Sequence, residues 1–265
     1  MTLPAKDRLD ITILGSGTCV PSLRRSSCAL LMETGSIKWL FDCGAGTLRR
    51  LLEAGTEIFE IDTIFLSHFH PDHSGELVSF LFATKYPDKE RRKHPLKLAG
   101  GRGILQFFEN LKQPYGEWIE LGPGMLEIIE LDTAAPDRRT FGSIMVETAP
   151  MAHNPESLGY RVTVPGGASA VYSGDTDYTD RLITLAKKAD LLICESALPD
   201  DLNAAGHLTP SRAGAIAAEA EVSELILTHF YPECDNADIV AECRKTYSGP
   251  LRLAEDLMRI RVAEG

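Results

Sequence analysis

The 265-residue sequence has no run approaching the roughly 18 apolar residues that a membrane span needs. Its first stretch, Met1 to Asp10, lacks a cationic segment followed by an apolar one. The protein is therefore expected to be cytoplasmic, with no membrane partner. Positive charge is also in short supply. Lys and Arg number 27 against 38 Asp and Glu, a formal net charge of −11. No global attraction to nucleic acid or anionic lipid follows, so a phosphate-bearing substrate must be held locally. The six cysteines, at 19, 28, 43, 194, 234 and 243, form no Cys-x-x-Cys pair. A chain this long with an adequate core needs no disulfide framework, and reduced, mostly buried thiols are expected. Neither Gly15/Gly17 nor Gly44/Gly46 meets the Gly-x-Gly-x-x-Gly spacing of a dinucleotide site, and these glycines are read as permitting tight turns. No low-complexity linker divides the chain, which reads as a single domain over 1–265.

What is present is an ordinary globular balance, 44% hydrophobic against 25% charged. Apolar, β-branched-rich runs predict strands at Ile11–Leu14, Cys28–Met32, Ile37–Phe41, Thr63–Leu66, Leu96–Ala99 and Leu126–Leu131. Further runs do so at Ile144–Thr148, Gly159–Val164, Ala168–Tyr172, Leu191–Cys194, Leu225–Thr228 and Leu251–Leu253. Helical spacing marks Thr47–Glu53, Glu76–Thr84, Ile104–Leu111, Asp180–Lys187, Pro210–Ala220 and Ala237–Lys245, with Thr209 as N-cap of the fifth. So many strands do not fit one flat open sheet, which predicts an α/β fold with two sheets inside and helices outside. The most polar stretch, Lys85 to Lys97, carries six positive and two negative side chains and is expected to be an exposed loop with His94 solvated.

Chemistry concentrates in Thr63–Leu77, TIFLSHFHPDHSGEL, where an apolar strand runs into His68, His70, Asp72 and His73. Strand period puts His68 and His70 on one side and turns Phe69 into the core. Pro71 keeps His70 out of helical geometry, so Asp72 and His73 can face an adjacent point. Two metal centres could share this loop. His153, Asp175 and His229 each follow an apolar strand. In layered α/β proteins such strand-end loops gather at one sheet edge. Five His and two Asp then make a dinuclear ligand set.

At this point the sequence resembles the metallo-β-lactamase superfamily, and within it the ribonuclease Z family. The resemblance rests on LGSGTCVPS (Leu14–Ser22) with Arg24 and Arg25, LFDCGAGT (Leu40–Thr47), HFHPDH at 68–73, and His153. It continues through Asp175 in SGDT, Glu195 in CESA, His207 in GHLT and His229 in LTHF, covering nearly the whole chain. It implies a four-layer αββα sandwich. It implies one zinc on His68, His70 and His153, another on Asp72, His73 and His229, and Asp175 bridging them; imidazole and carboxylate donors suit zinc, with Mn2+ or Fe2+ as alternatives. His70 stands where flavo-diiron relatives carry Glu. The implied reaction is hydrolysis of a phosphodiester by a hydroxide bridging the ions. Asp72 accepts a proton and His207, oriented by Glu195, donates one to the leaving group. Asp42 is read as a loop anchor, or as a group that supports a ligand from behind, rather than as a ligand itself.

Departures from the family bear on substrate. Only 21 residues separate His153 from Asp175, where ribonuclease Z proteins insert the arm that grips transfer RNA. Ala45 and Leu48 replace polar residues, and Pro71 stands where Gly is common. The substrate is accordingly an RNA 3′ end or a smaller phosphodiester. Other readings are a lactonase, thioesterase or sulfatase on the same scaffold, or a non-catalytic binding protein. Relatives are commonly homodimers, which the resemblance carries over.

Overall fold

The computed structural model describes residues 8–85 and 92–263. Its first half is built from β1 (Arg8–Gly15), β2 (Ala29–Thr34), β3 (Ile37–Phe41), α1 (Thr47–Ala54), β4 (Thr63–Phe65), α2 (Pro71–Ser74) and α3 (Leu77–Lys85). It continues with β5 (Leu96–Gly100), α4 (Ile104–Tyr115) and β6 (Leu126–Glu130). The second half runs through β7 (Asp137–Phe141), β8 (Ile144–Pro150), β9 (Leu158–Thr163), β10 (Ser169–Tyr172), α5 (Asp180–Ala186) and β11 (Leu191–Glu195). It ends with α6 (Pro210–Glu219), β12 (Leu225–Thr228), α7 (Ile239–Cys243), β13 (Leu251–Leu253) and β14 (Arg259–Ala263).

Two seven-stranded mixed sheets result, ordered β14-β1-β2-β3-β4-β5-β6 and β13-β12-β11-β10-β9-β8-β7. In each, an antiparallel meander leads into a parallel run: β3 pairs parallel with β4, and β10 parallel with β11. The parallel strands point their carboxyl ends at one edge, so the loops after β4, β10, β11 and β12 meet there.

Period-two alternation explains the layering. On β2, Leu30 and Met32 enter the core shared by the two sheets, while Ala29 and Leu31 face the core under the outer helices. Trp39 and Phe41 point inward on β3, Leu40 outward, and β4 repeats the pattern with Phe65 in and Ile64 out. Leu51, Phe80, Leu81, Ile104 and Phe108 of α1, α3 and α4 cover that outer face. Helices α5 and α6 pack on the second sheet. Phe41 and Phe65 stack at 4.8 Å, and Tyr160 meets both edge-on at 5.5 Å. The Tyr160 hydroxyl donates to the Leu66 carbonyl at 2.6 Å, pinning the end of β4 to the opposite sheet just before the His-rich loop.

Two strands exceed the sequence expectation. β7 (DRRTF) is an edge strand with mostly polar side chains, and in β14 (RIRVA) only Ile260 and Val262 are buried. The helix expected from Glu76 starts at Leu77, after the separate single turn α2, and the last helix is cut to Ile239–Cys243. Thr209 is the N-cap residue of α6 but makes no side-chain cap; Asp200 Oδ1 accepts the Ser211 N–H at 3.1 Å instead. The Lys85–Lys97 stretch is not uniformly solvated. Arg92 is buried and donates to the Ile58 and Ile61 carbonyls, because its planar fork can satisfy two open backbone acceptors at once. Residues 86–91 of that stretch lie outside the described residues. Cys19 is exposed and the other five thiols are buried.

Candidate metal centre

The His-rich loop leaves the sheet at Phe65, so Ser67 to His70 are extended loop and not strand. His70 has φ −58° and ψ 148°, the conformation Pro71 enforces on its predecessor, and Pro71 opens α2 at its first position. One helical turn then carries Asp72 and His73 round to the same cluster. Phe69 is half-buried and stacks on Phe107 at 4.7 Å, which anchors the outer side of the loop. Gly44 is required here, since a Cβ on it would lie 2.0 Å from the Asp72 carbonyl oxygen.

The second sheet brings in the distant residues. His153 follows β8, Asp175 follows β10, and His229 directly follows β12. Donor atoms of His68, His70, His153 and Asp175 all lie within 4.8 Å of one another. Asp175 Oδ1 stands 3.2 Å from His73 Nε2, and Oδ2 stands 3.4 Å from His229 Nε2, 3.7 Å from His68 Nε2 and 4.0 Å from His153 Nε2. Asp72 Oδ2 is 3.6 Å from His229 Nε2 and 3.9 Å from His73 Nε2. Asp175 is thus central to two groups of donors, one around His68, His70 and His153, the other around Asp72, His73 and His229. All seven residues expected from sequence converge.

Support beneath the two groups differs. Asp42 is fully buried and accepts from His73 Nδ1, Ser67 N and Tyr172 OH at 2.7 Å and from Ser67 Oγ at 2.8 Å. Its backbone sits at φ +60°, as does that of His229, conformations sparsely used by residues other than Gly. The loop-anchor reading of Asp42 matches this geometry. On the other side His70 is exposed, with Nε2 held by Asn154 Nδ2 at 3.0 Å, and His153 Nδ1 donates to the Gly206 carbonyl at 2.9 Å.

Burial and charge set the protonation of the cluster. Burial, with His73 nearby, pushes the His68 imidazole down to about 2, and burial lowers His153. Burial works against charging His73, yet the Asp175 and Asp42 carboxylates outweigh it and hold its pKa well above the ordinary value. Burial opposes the charge on Asp72 and Asp175 too, but the adjoining imidazoles prevail, lowering Asp72 to about 2 and Asp175 well below the carboxylate range. Among the described residues, His68 Nε2 and Asp175 Oδ1 are buried without a hydrogen-bond partner. Buried polar atoms left unpaired in this way cost about 1–3 kcal/mol each, and a divalent cation among them would supply the missing partner. The residues present fit a metal.

Beside the cluster, Glu195 ends β11 fully buried. It accepts from Thr176 N at 2.6 Å, Leu208 N at 3.1 Å and His207 Nδ1 at 3.1 Å. Burial raises Glu195. Burial opposes protonation of His207, but its bond to Glu195 prevails and raises it to about 9. The His207 ring stacks on that of His229 at 5.5 Å, so a proton on His207 lies next to the cluster.

A family model for the beta-lactamase superfamily domain matches residues 38–230. The chain belongs to the metallo-β-lactamase superfamily. Among superfamily relatives, an uncharacterized protein of Mycobacterium tuberculosis, Rv1339, is 31% identical, covering 91% of this chain and 88% of its own. Ribonuclease Z of Brevibacillus brevis is 29% identical, covering 95% and 96%. The metallo-β-lactamase fold protein YhfI from Bacillus subtilis superposes with a TM-score of 0.83 at 26% identity, covering 96% of this chain and all of that one. As a superfamily member with this donor cluster, the protein is a metal-dependent hydrolase similar to ribonuclease Z. No helix among the described residues is long and apolar enough to cross a membrane.

One neighbour of the cluster escaped sequence reasoning. The Cys28 thiol, just before β2, lies within 4.8 Å of donor nitrogens of His73 and His229. Burial and then the Asp175, Asp42 and Asp72 carboxylates raise its pKa well above the usual thiol value. Nothing in the apolar run Cys28–Met32 distinguishes this thiol from a core residue.

Proposed function

We propose that the protein is a dinuclear zinc phosphodiesterase of the ribonuclease Z type, cleaving RNA or a small phosphodiester. His68, His70 and His153 hold one ion, Asp72, His73 and His229 the other, and Asp175 serves both. When bound, two such ions would supply Lewis acidity and bring the pKa of water down toward neutrality. Zinc suits the imidazole and carboxylate donors, with Mn2+ or Fe2+ as substitutes.

The observation that carries this reading is the Glu195–His207 pair next to Asp175. Expelling an alkoxide from phosphorus needs a proton, and His207, raised to about 9, carries one at neutral pH. Glu195 takes His207 Nδ1 and so directs the opposite ring nitrogen at the leaving oxygen. Asp72, beside His73 and His229, would orient the attacking water and accept its proton. Lactones and thioesters have less need of such a donor.

The hairpin between β9 and β10 narrows the substrate. The strands are joined by a short turn over 164–168, where Val164 N donates to the Ala168 carbonyl at 3.0 Å and Gly167 N to the Val164 carbonyl at 2.9 Å. No arm projects from this place, which favours an RNA 3′ end held at the site itself, or a small diester, over a grip on the transfer-RNA body.

A panel assay on the zinc-loaded protein tests the reading, with a bis(aryl) phosphate, 3′-extended transfer RNA, cyclic nucleotides, a lactone and a thioester. Diester cleavage that Asp175→Ala abolishes is the expected result. Lactone or thioester turnover without diester cleavage overturns it in favour of another hydrolase on this scaffold.

A further inference from the structure

His207 and the metal ligand His153 are held by one short loop whose own fastening lies elsewhere. The loop from Asn203 to Gly206 is largely exposed and precedes α6. Gly206 is its pivot: its carbonyl accepts from His153 Nδ1 at 2.9 Å, and its N–H points at Asp177 Oδ2 at 3.4 Å. At φ +84° it adopts a left-handed backbone, and a Cβ there would lie 2.9 Å from His153 Nδ1. Asp177 is in turn fixed from two sides. Its Oδ1 meets Arg212 Nη2 at 2.6 Å, and its own N–H donates to the Ala152 carbonyl, next to His153, at 2.9 Å. Arg212 stands in the first turn of α6 and its other terminal nitrogen reaches Asn203 Oδ1 at 3.4 Å. One guanidinium therefore spans the start of the loop and the carboxylate that meets its end.

Three consecutive residues join the two halves of the chemistry. Asp175 faces the metal ligands, Thr176 N donates to Glu195 Oε1 at 2.6 Å, and Asp177 faces Gly206 and Arg212. We propose that Asp177 and Arg212 are positioning residues. They clasp the Asn203–Gly206 loop so that His207 is delivered to Glu195 in the same setting that presents the Gly206 carbonyl to His153. Neither touches the reacting atoms; both act through Gly206 and His207. The consequence for catalysis rests on the phosphodiesterase reading above, and the clasp itself does not.

The test uses the full chain with Asp177→Ala, Arg212→Ala and Arg212→Lys. Hydrogen exchange followed by mass spectrometry should quicken in the peptide over 203–208 in both alanine variants and return toward the parent rate in Arg212→Lys. Unchanged exchange there, or quickening spread over the whole protein, overturns the clasp whatever the substrate proves to be. On diesters, the alanine variants should lose about tenfold with an alkoxide leaving group, short of the roughly 10²-fold floor for full general-acid help, and under twofold with a nitrophenolate. Combining Asp177→Ala with His207→Ala should cost no more than His207→Ala alone, because the two act as one unit. Equal losses on both leaving groups, or full additivity, overturns the coupling to His207. A wild-type protein inactive on every diester refutes the phosphodiesterase reading while the exchange result still decides the clasp.

Discussion

The two halves of the metal centre are built differently. Around His73 and His229 everything is buried: Asp42 below accepts four hydrogen bonds, and both Asp42 and His229 are fixed in left-handed backbone. Around His70 and His153 the cluster is open. His70 is exposed, and the supports are the side chain of Asn154 and the carbonyl of a surface loop. Rigid, charged support fixes the tautomer and raises the basicity of a ligating imidazole, whereas a neutral, exposed one does so weakly. On the dinuclear reading proposed above, the closed half should bind the first and tighter ion, and the open half should exchange its ion and admit substrate.

Asp175→Ala should erase the distinction and have the largest effect. It removes the one carboxylate common to both halves, so metal content by atomic emission should fall in both and hydrolysis should vanish; retention of two ions per chain would show that the halves are independent. Asp42→Asn comes next. An amide keeps the shape but loses the charge facing His73, and tight-site affinity measured by chelator competition should fall by about 10–100-fold. Asn154→Ala should weaken only the looser ion, by a few-fold, and a larger loss than that of Asp42→Asn would invert the proposed ranking.

pH should separate the centre from its proton donor. His207 is raised to about 9, so it contributes stability that is complete below the ordinary imidazole pKa and disappears as pH rises through about 9. Turnover of a diester with a poor leaving group should fall over the same upper window, and His207→Ala should remove that limb from the pH–rate profile. The smallest effect is Tyr160→Phe. Losing the hydroxyl leaves the Leu66 carbonyl unsatisfied, and denaturant unfolding should show a loss of about 1–3 kcal/mol with the metal affinities nearly unchanged.

The contrast also governs what could be read from sequence. His68, His70, Asp72 and His73 are legible because one strand end delivers them within six positions. His153, Asp175 and His229 are legible as strand-end residues, since β8, β10 and β12 are apolar runs that announce themselves. Of their supports, Asp42 is legible as an anchor but without the partner it holds, and Asn154 is not legible at all. Asp42 lies 31 positions from His73 and Asn154 lies 84 from His70, so only the closed sandwich makes them neighbours. Asp177 and Arg212 were invisible for the same reason, and Cys28 because it reads as one more core residue of an apolar run. Among the elements, β7 was hidden because an edge strand with charged side chains lacks the apolar signal, and β14 because only Ile260 and Val262 of its five residues face inward. Arg92 misled in the opposite sense: its charge reads as surface, while its guanidinium closes backbone carbonyls in the interior.

The left-handed bends at Asp42 and His229 make this chemistry hard to transplant. An excised peptide carrying HFHPDH would possess four donors and no floor. The same stretch grafted onto another barrel or sandwich would fare no better unless the recipient backbone kinked at two further points far along its chain. Miniature mimics of this hydrolase should accordingly start from the two kinks and the acid beneath them, and add the histidines last.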